Sequence, residues 1–540
     1  MSTSSYAAGS TTTPLLDHTI GADLARAVER FGDREALVDV PSGRRWTYAE
    51  FGRAVDQVAR GLLAKGVAKG DRVGIWAVNC PEWMMVQYAT ARIGAVMVNI
   101  NPAYRVHELG HVLRQSGVSV LVASVEHKTS DYRRMVEQVR ASVPALRDVV
   151  YIADPTWAGL IAFGERVTDE RLADREARLS CDDPVNIQYT SGTTGFAKGA
   201  TLSHRNILNN GYFVGELLGY TEDDRVVVPV PLYHCFGMVM GNLAATSHGA
   251  CVILPAPSFD PTATLHAVER ERGTSLYGVP TMFIAELNLP DFATYDLSSL
   301  RTGIMAGSPC PEEIMKRVVA EMHMAEVAIC YGMTETSPVA TQTRRDDDLA
   351  RRTGTVGRVL PHIEVKVVDQ DTGKTVERGE PGELCTRGYS VMLGYWQEPG
   401  LTAEAVDAEG WMHTGDLATM GEDGYVRIVG RIKDMIIRGG ENVYPREIEE
   451  FLHAHPKIAD VQVIGVPDEK YGEEIMACVI LRDPAGHLSR DELARYCRGS
   501  LAHYKVPRYL RIMESFPMTV SGKVRKVELR EQATAGVAQA

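Results

Sequence analysis

The chain has 540 residues, too many for one hydrophobic core, so two or more domains are expected. Its 45% apolar and 24% charged content is ordinarily globular, and a formal charge of −13 speaks against a nucleic-acid binder, which would carry a clustered basic face. No window approaches 18 uninterrupted apolar residues, so no transmembrane helix is expected. The opening MSTSSYAAGSTTTPLL lacks a basic n-region, an apolar h-region and any arginine. A targeting peptide is therefore not expected, and residues 1–20 read as a disordered lead-in. Nine cysteines, scattered singly with no CxxC, suit reduced thiols in a cytoplasmic protein and show no zinc-cage spacing.

Taken in chain order, residues 22–31 (ADLARAVERF) and 47–65 (TYAEFGRAVDQVARGLLAK) carry apolar side chains at helical spacing, and Thr47 with Glu50 makes a capping box for the second. RVGIWAV (72–78) and AVMVNI (95–100) read as buried strands separated by the helical PEWMMVQYATARIG. VSVLVAS (118–124) and DVVYIA (148–153) continue the alternation of a parallel sheet. The pattern resumes with RVVVPVP (225–231), ACVILP (250–255) and AEVAICYG (325–332). After about residue 360, the short pieces IEVKVVD, GELCTRG and YVRIVG, with Gly and Asp turns, predict a small antiparallel subdomain. From Arg431 the pattern is α+β: a helix over Pro445–His455, the strands DVQVIGV and EIMACVIL joined by PDEKYGE, and a helix over Arg490–Leu501. The expected fold is α/β. A large N-terminal body over 21–431 holds two sheet-and-helix subdomains and one β-rich subdomain. A small mobile α+β domain follows over 432–530, with a disordered tail over 531–540.

Residues 189–199 read YTSGTTGFAKG. Tyr189 ends an apolar run; Thr190, Ser191, Gly192, Thr193, Thr194 and Gly195 follow, and then Lys198. Glycines let backbone N–H groups close on a ligand, hydroxyls add donors, and the lysine supplies charge, so such a loop suits phosphate oxygens. Its spacing is not the GxxxxGK[ST] of P-loop NTPases. The blander reading is a flexible linker.

The loop resembles the signature of the AMP-forming, adenylate-making superfamily: acyl-CoA synthetases, aryl-CoA ligases, luciferases and peptide-synthetase adenylation domains. The resemblance recurs in family order at YHCFGM (233–238), AGSP (306–309), YGMTETSP (331–338), WMHTGDL (411–417), GRIKDMIIRGGENVYPREIEE (430–450) and SGKVRK (521–526). It implies ATP, Mg²⁺ and CoA as cofactors and co-substrates. A carboxylate is a poor acyl donor, so it is first coupled to ATP as an acyl-AMP anhydride. Catalysis of that in-line displacement is mostly positioning and charge neutralisation.

On this resemblance, Thr190 to Gly195 with Lys198 hold the β- and γ-phosphates, and Thr190 and Glu335 are the Mg²⁺ ligands, a task for hard oxygen donors. Gly307, Ser308 and Pro309 form the strip against which adenine stacks, Tyr331 is its aromatic partner, and Gly332, Met333 and Thr334 join the ATP/AMP-binding set. Asp416 and Arg431 take the ribose hydroxyls. Lys523 is the catalytic lysine between the incoming carboxylate and the α-phosphate. Lys433 is the hinge about which the C-terminal domain turns to admit CoA, whose pantetheine Arg438, Gly439 and Gly440 line. His234 gates the acyl pocket, with Met238, Met240, Val279 and Met282 in its wall. Taken singly each has a plainer reading: a helix-start glutamate, a tight turn, a core tyrosine, a solvated lysine, a structural histidine.

The apolar MVMGNLAATSHGA and SLYGVPTMFIAEL hold no lysine or arginine to pair a second carboxylate, so an alkyl acid is the simplest occupant. The combination with GYSVMLGYW resembles medium-chain fatty acyl-CoA synthetases. An acyl-AMP ligase loading a carrier protein, an aryl-acid CoA ligase and a non-catalytic acyl-AMP or AMP sensor are the alternatives. The partners expected are fatty acid, ATP and CoA, with no nucleic acid. Transient membrane-surface contact and the choice of monomer or homodimer stay open.

Overall fold

The computed structural model describes residues 3–190, 197–308, 310–439, 441–468, 470–498, 500–519 and 524–537. The N-terminal body contains three main sheets. The first has seven strands in the order Gly394–Tyr395, Lys198–Ser203, Pro184–Thr190, Val96–Asn99, Arg72–Trp76, Val118–Ala123 and Asp148–Tyr151. From Pro184–Thr190 to Asp148–Tyr151 the strands run parallel. They read as near-continuous apolar runs because helices cover both faces, and Val73 and Ile75 are fully buried. Lys198–Ser203 folds back antiparallel on Pro184–Thr190, pairing Thr190 with Lys198. The helix Pro81–Ile93 is apolar almost all round, as suits a helix buried on every side.

The second sheet has nine strands, in the order Arg358–Val359, Val339–Gln342, Glu326–Gly332, Thr302–Ala306, Ser275–Gly278, Arg225–Val227, Cys251–Leu254, Glu35–Asp39 and Arg44–Thr47. The run expected over 225–231 stops at Val227, since Pro229 and Pro231 have no N–H to give a ladder. The helix Tyr48–Ala64 starts as expected: Glu50 N–H donates to Thr47 Oγ1 at 3.2 Å, and Thr47 N–H donates to Glu50 Oε2 at 2.9 Å.

The third sheet is antiparallel: Tyr6–Ala8, Ile363–Val368, Gly382–Gly388, Met412–Met420 and Val426–Arg431. Its first strand corrects the expectation of a disordered lead-in, because Tyr6 pairs with Lys366 and the Tyr6 hydroxyl donates to Glu364 at 2.5 Å. Beyond Arg431 a further sheet is formed by Glu441–Val443, Ile436–Arg438, Gly472–Leu481 and Ile458–Asp468, with Tyr509–Ile512 beside Gly472–Leu481. Its helices are Pro445–His453, Arg490–Cys497 and Lys526–Val537, the last continuing into residues expected to be a disordered tail. Among the described residues no helix is long and apolar enough to cross a membrane.

Candidate active site

The signature loop joins the antiparallel strands Pro184–Thr190 and Lys198–Ser203, so Thr190 and Lys198 face each other at its two stems, where Thr190 Oγ1 donates to the Lys198 carbonyl at 3.4 Å. Ser191, Gly192, Thr193, Thr194 and Gly195 lie outside the described residues, as do Pro309, Gly440 and Lys523.

Lys198 leads to a carboxylate. Its Nζ stands 5.1 Å from the centre of the Tyr395 ring, and the Tyr395 hydroxyl donates to Glu335 Oε1 at 2.8 Å. Tyr395 reaches this place because Gly394–Tyr395 pairs with Lys198–Ser203, putting Tyr395 opposite Ala200. Glu335 is only 6% exposed, in the 3₁₀ turn Thr334–Thr336 just after the strand Glu326–Gly332. The turn is tied down from the other side: Met392 N–H donates to the Glu335 carbonyl at 2.8 Å, and Ser337 Oγ donates to the Ser390 carbonyl at 2.6 Å. Burial, with the Glu335 carboxylate beside it, raises the Tyr395 pKa, which keeps that hydroxyl a donor. Gly332, before the turn, passes so close to Pro338 that an added Cβ would lie 1.8 Å from its carbonyl oxygen. Met333 N–H donates to Thr336 Oγ1 at 3.1 Å, and Thr334 is buried.

A second cluster gathers at the end of the same strand. The Tyr331 hydroxyl donates to Asp416 Oδ2 at 2.7 Å, and Arg431 Nε donates to Asp416 Oδ1 at 3.2 Å. Both carboxylate oxygens are thus oriented from separate elements. Burial and the neighbouring Asp416 raise the Tyr331 pKa. Asp416 sits on an irregularity in its ladder: Glu383 pairs with Leu417 but Cys385 pairs with His413, so the longer strand bulges at 414–416. Thr414 Oγ1 pins the bulge, donating to the Leu384 carbonyl at 2.7 Å and accepting from Asp416 N–H at 3.1 Å. The Arg431 side chain is 62% exposed, so its ion pair orients Asp416 more than it stabilises the fold. Gly307 holds a φ of 94°, a left-handed conformation that favours glycine, and Ser308 follows with its carbonyl facing the Cys310 thiol at 3.5 Å.

His234 precedes a π-helix, Phe236–Leu243. Its Nδ1 accepts from Phe236 N–H at 3.2 Å, which places the ring proton on Nε2 when the imidazole is neutral. Gly237 is required there, since a Cβ would lie 2.4 Å from the Pro231 carbonyl oxygen. The loop is anchored below: Asn99 Nδ2 and Gln188 Nε2 donate to the Tyr233 carbonyl at 3.0 and 2.7 Å, and Asn99 Nδ2 also approaches Met238 Sδ at 3.4 Å. Met238, Met240, Val279 and Met282 are all buried, Val279 and Met282 at the start of the helix Pro280–Leu287.

Lys433 is exposed in the short turn Ile432–Asp434, between the last strand of the β-rich sheet and the first of the C-terminal sheet. Arg438 belongs to the C-terminal sheet, where it forms a bidentate pair with the fully buried Glu474 and lies 4.3 Å over the Tyr471 ring. Gly439, at φ 60°, donates its N–H to the Tyr471 carbonyl at 2.8 Å.

Tyr395, Thr414 and Glu474 complete these contacts without a motif that announces them. The first two act across strand pairs, and the third is the interior partner of an arginine; no local spacing marks any of them.

A model of the AMP-binding enzyme family matches residues 24–396, and one of the AMP-binding enzyme C-terminal domain matches residues 447–523. YngI of Bacillus subtilis (strain 168), whose name marks it as a candidate acyl-CoA synthetase, is 48% identical over 96% of this chain and 97% of its own length. The mitochondrial medium-chain acyl-CoA ligase ACSF2 of Macaca fascicularis is 44% identical over 98% and 89%. The crystal structure of ATP-bound MatB from Rhodopseudomonas palustris superposes with a TM-score of 0.82 at 30% identity, covering 95% of this chain and 99% of that one. The chain belongs to the AMP-binding enzyme family.

Proposed function

We infer that the protein couples a fatty acid to ATP, forming acyl-AMP and pyrophosphate, and then transfers the acyl group to CoA. The observation that carries this reading is the pair of clusters on one stretch of chain: Tyr331 holding Asp416, and, four residues on, Glu335 held by Tyr395 beside Lys198. Asp416 offers two acceptor oxygens, which suits a vicinal diol. Lys198 offers charge at the stem of a loop rich in N–H and hydroxyl donors. ATP use agrees with the ATP-bound relative, and acyl-CoA formation with the names of YngI and ACSF2.

The donor set fits Mg²⁺. Glu335 is a carboxylate oriented by a hydroxyl, and Thr190 adds a second hard oxygen across the hairpin from Lys198. When bound there, the ion would neutralise polyphosphate charge. Tyr395 holds the carboxylate's direction, the kind of outer contact whose loss typically costs 10–100-fold in metal affinity. Tyr395→Phe should therefore raise the Mg²⁺ concentration for half-maximal pyrophosphate release about 10-fold. An unchanged Mg²⁺ dependence would remove Tyr395 from this role.

The substrate class follows from the apolar helix starts around Met238, Val279 and Met282 and from the name of ACSF2. Each buried methylene contributes about 0.8 kcal/mol, so kcat/KM should climb with chain length until the pocket ends. Methionines repack easily, so the limit should be gradual. The expected profile is a broad optimum among roughly C6 to C12 acids, with acetate poor, benzoate below octanoate, and malonate inactive because its second carboxylate finds no cation. A panel of C2 to C18 acids with these analogues tests it; acetate or malonate as best substrate would overturn the fatty-acid reading and leave adenylation standing.

A further inference from the structure

We propose that Glu383, Cys385 and His413 form a binding site for a soft divalent cation of the zinc class, directly behind the bulge that carries Asp416. One carboxylate oxygen, the thiol sulfur and a ring nitrogen all lie within 4.8 Å of one another. They converge on a single nitrogen: His413 Nδ1 is 3.5 Å from Cys385 Sγ and 2.9 Å from Glu383 Oε2. Tetrahedral zinc, with bonds of about 2.3 Å to sulfur and 2.0 Å to nitrogen, separates those two ligands by about 3.5 Å.

The strands create this arrangement. Cys385 and His413 are opposite each other in the antiparallel ladder, so their side chains share a face. Glu383, two residues earlier, shares that face as well. The bulge displaces its partner to Leu417, and its carboxylate turns back toward His413. The surroundings resemble those of a histidine ligand. On the far side of the ring, Asp407 Oδ2 is 3.7 Å from His413 Nε2, beyond hydrogen-bond distance but near enough to favour a proton on Nε2 once Nδ1 is coordinated; without a cation Nδ1 carries the proton and donates it to Glu383. Cys385 is fully buried against Val368 and Trp411, which keeps water from the sulfur. Thiolate, imidazole and one carboxylate select zinc over Mg²⁺. The spacing 383, 385 and 413 has no metal-site signature, so composition alone pointed the other way.

Burial pushes the Cys385 thiol up to about 12, so without a cation the sulfur carries its proton. On binding, the S–H bond breaks, a sulfur–metal bond forms and that proton passes to solvent, while the proton His413 Nδ1 gives to Glu383 in the cation-free protein moves to Nε2, on the Asp407 side, freeing the Nδ1 lone pair; no electrons are exchanged. Gly415 N–H donates to the other Glu383 oxygen at 3.0 Å, which puts the site in direct contact with the bulge.

The test uses full-length protein stripped with a chelator and titrated with Co²⁺, then with Zn²⁺. The expected result is a thiolate-to-cobalt charge-transfer band in the near ultraviolet that saturates at one equivalent, is bleached by Zn²⁺ and is unaffected by excess Mg²⁺. Cys385→Ser should abolish the band, and His413→Asn should weaken binding at least tenfold. A wild-type protein with no such band overturns the proposal whether or not the variants fold. A band that persists at full strength in Cys385→Ser also overturns it, by assigning the cation to another cysteine.

Discussion

Lys523→Ala should slow acyl-AMP formation by about 10²–10⁴, or roughly 3–5 kcal/mol of transition-state stabilisation, the range for one lost electrostatic contact. The carboxylate and the α-phosphate are both anions and must come within bonding distance, so a cation between them acts where charge is concentrated. Tyr331, Asp416 and Arg431 would still seat the nucleotide, so the loss should fall on the rate and leave ATP binding nearly unchanged. Thioester formation from supplied acyl-AMP should survive. Pre-steady-state measurement of each half-reaction distinguishes the two, and an equal loss in both would show that Lys523 is not specific to adenylation.

The complementary defect is expected at the hinge. In Lys433→Pro the ring fixes φ near −65° and removes an N–H, at an exposed turn where little packing would be disturbed. If the C-terminal domain must turn there between half-reactions, acyl-AMP should still form while acyl-CoA production falls steeply. Full turnover by Lys433→Pro would place the hinge elsewhere. The two variants together predict opposite patterns in one assay, so each controls for misfolding of the other.

What was legible in the chain follows from how far each interaction reaches. Val73, Val98, Val120 and Val150 lie in short β-branched runs between helical stretches, and that alternation is the pattern of parallel strands covered by helices on both faces. The Thr47–Glu50 capping box spans three residues and stands as read. Tyr6–Ala8 could not be read, because its order comes from Ile363–Val368, more than 350 residues away, and its own composition is that of a flexible tail. At the candidate site, motif order singles out Glu335, Asp416 and Arg431, because the chemistry expected of each sits on its own side chain. Tyr395 was missed because its meaning lies in a strand pairing that brings it to Glu335. Glu383 was missed for the same reason, its role arising only where the ladder slips by two residues.

A single-turnover reaction separates the two steps of ligation through acyl-AMP. Enzyme in excess over ATP, with octanoate and Mg²⁺, is quenched and read by mass spectrometry, first without and then with CoA. Octanoyl-AMP and pyrophosphate should appear in stoichiometric amounts without CoA, and adding CoA should convert the octanoyl-AMP to octanoyl-CoA and AMP. ADP with octanoyl phosphate as products, or an octanoyl-AMP that CoA leaves untouched, would contradict it.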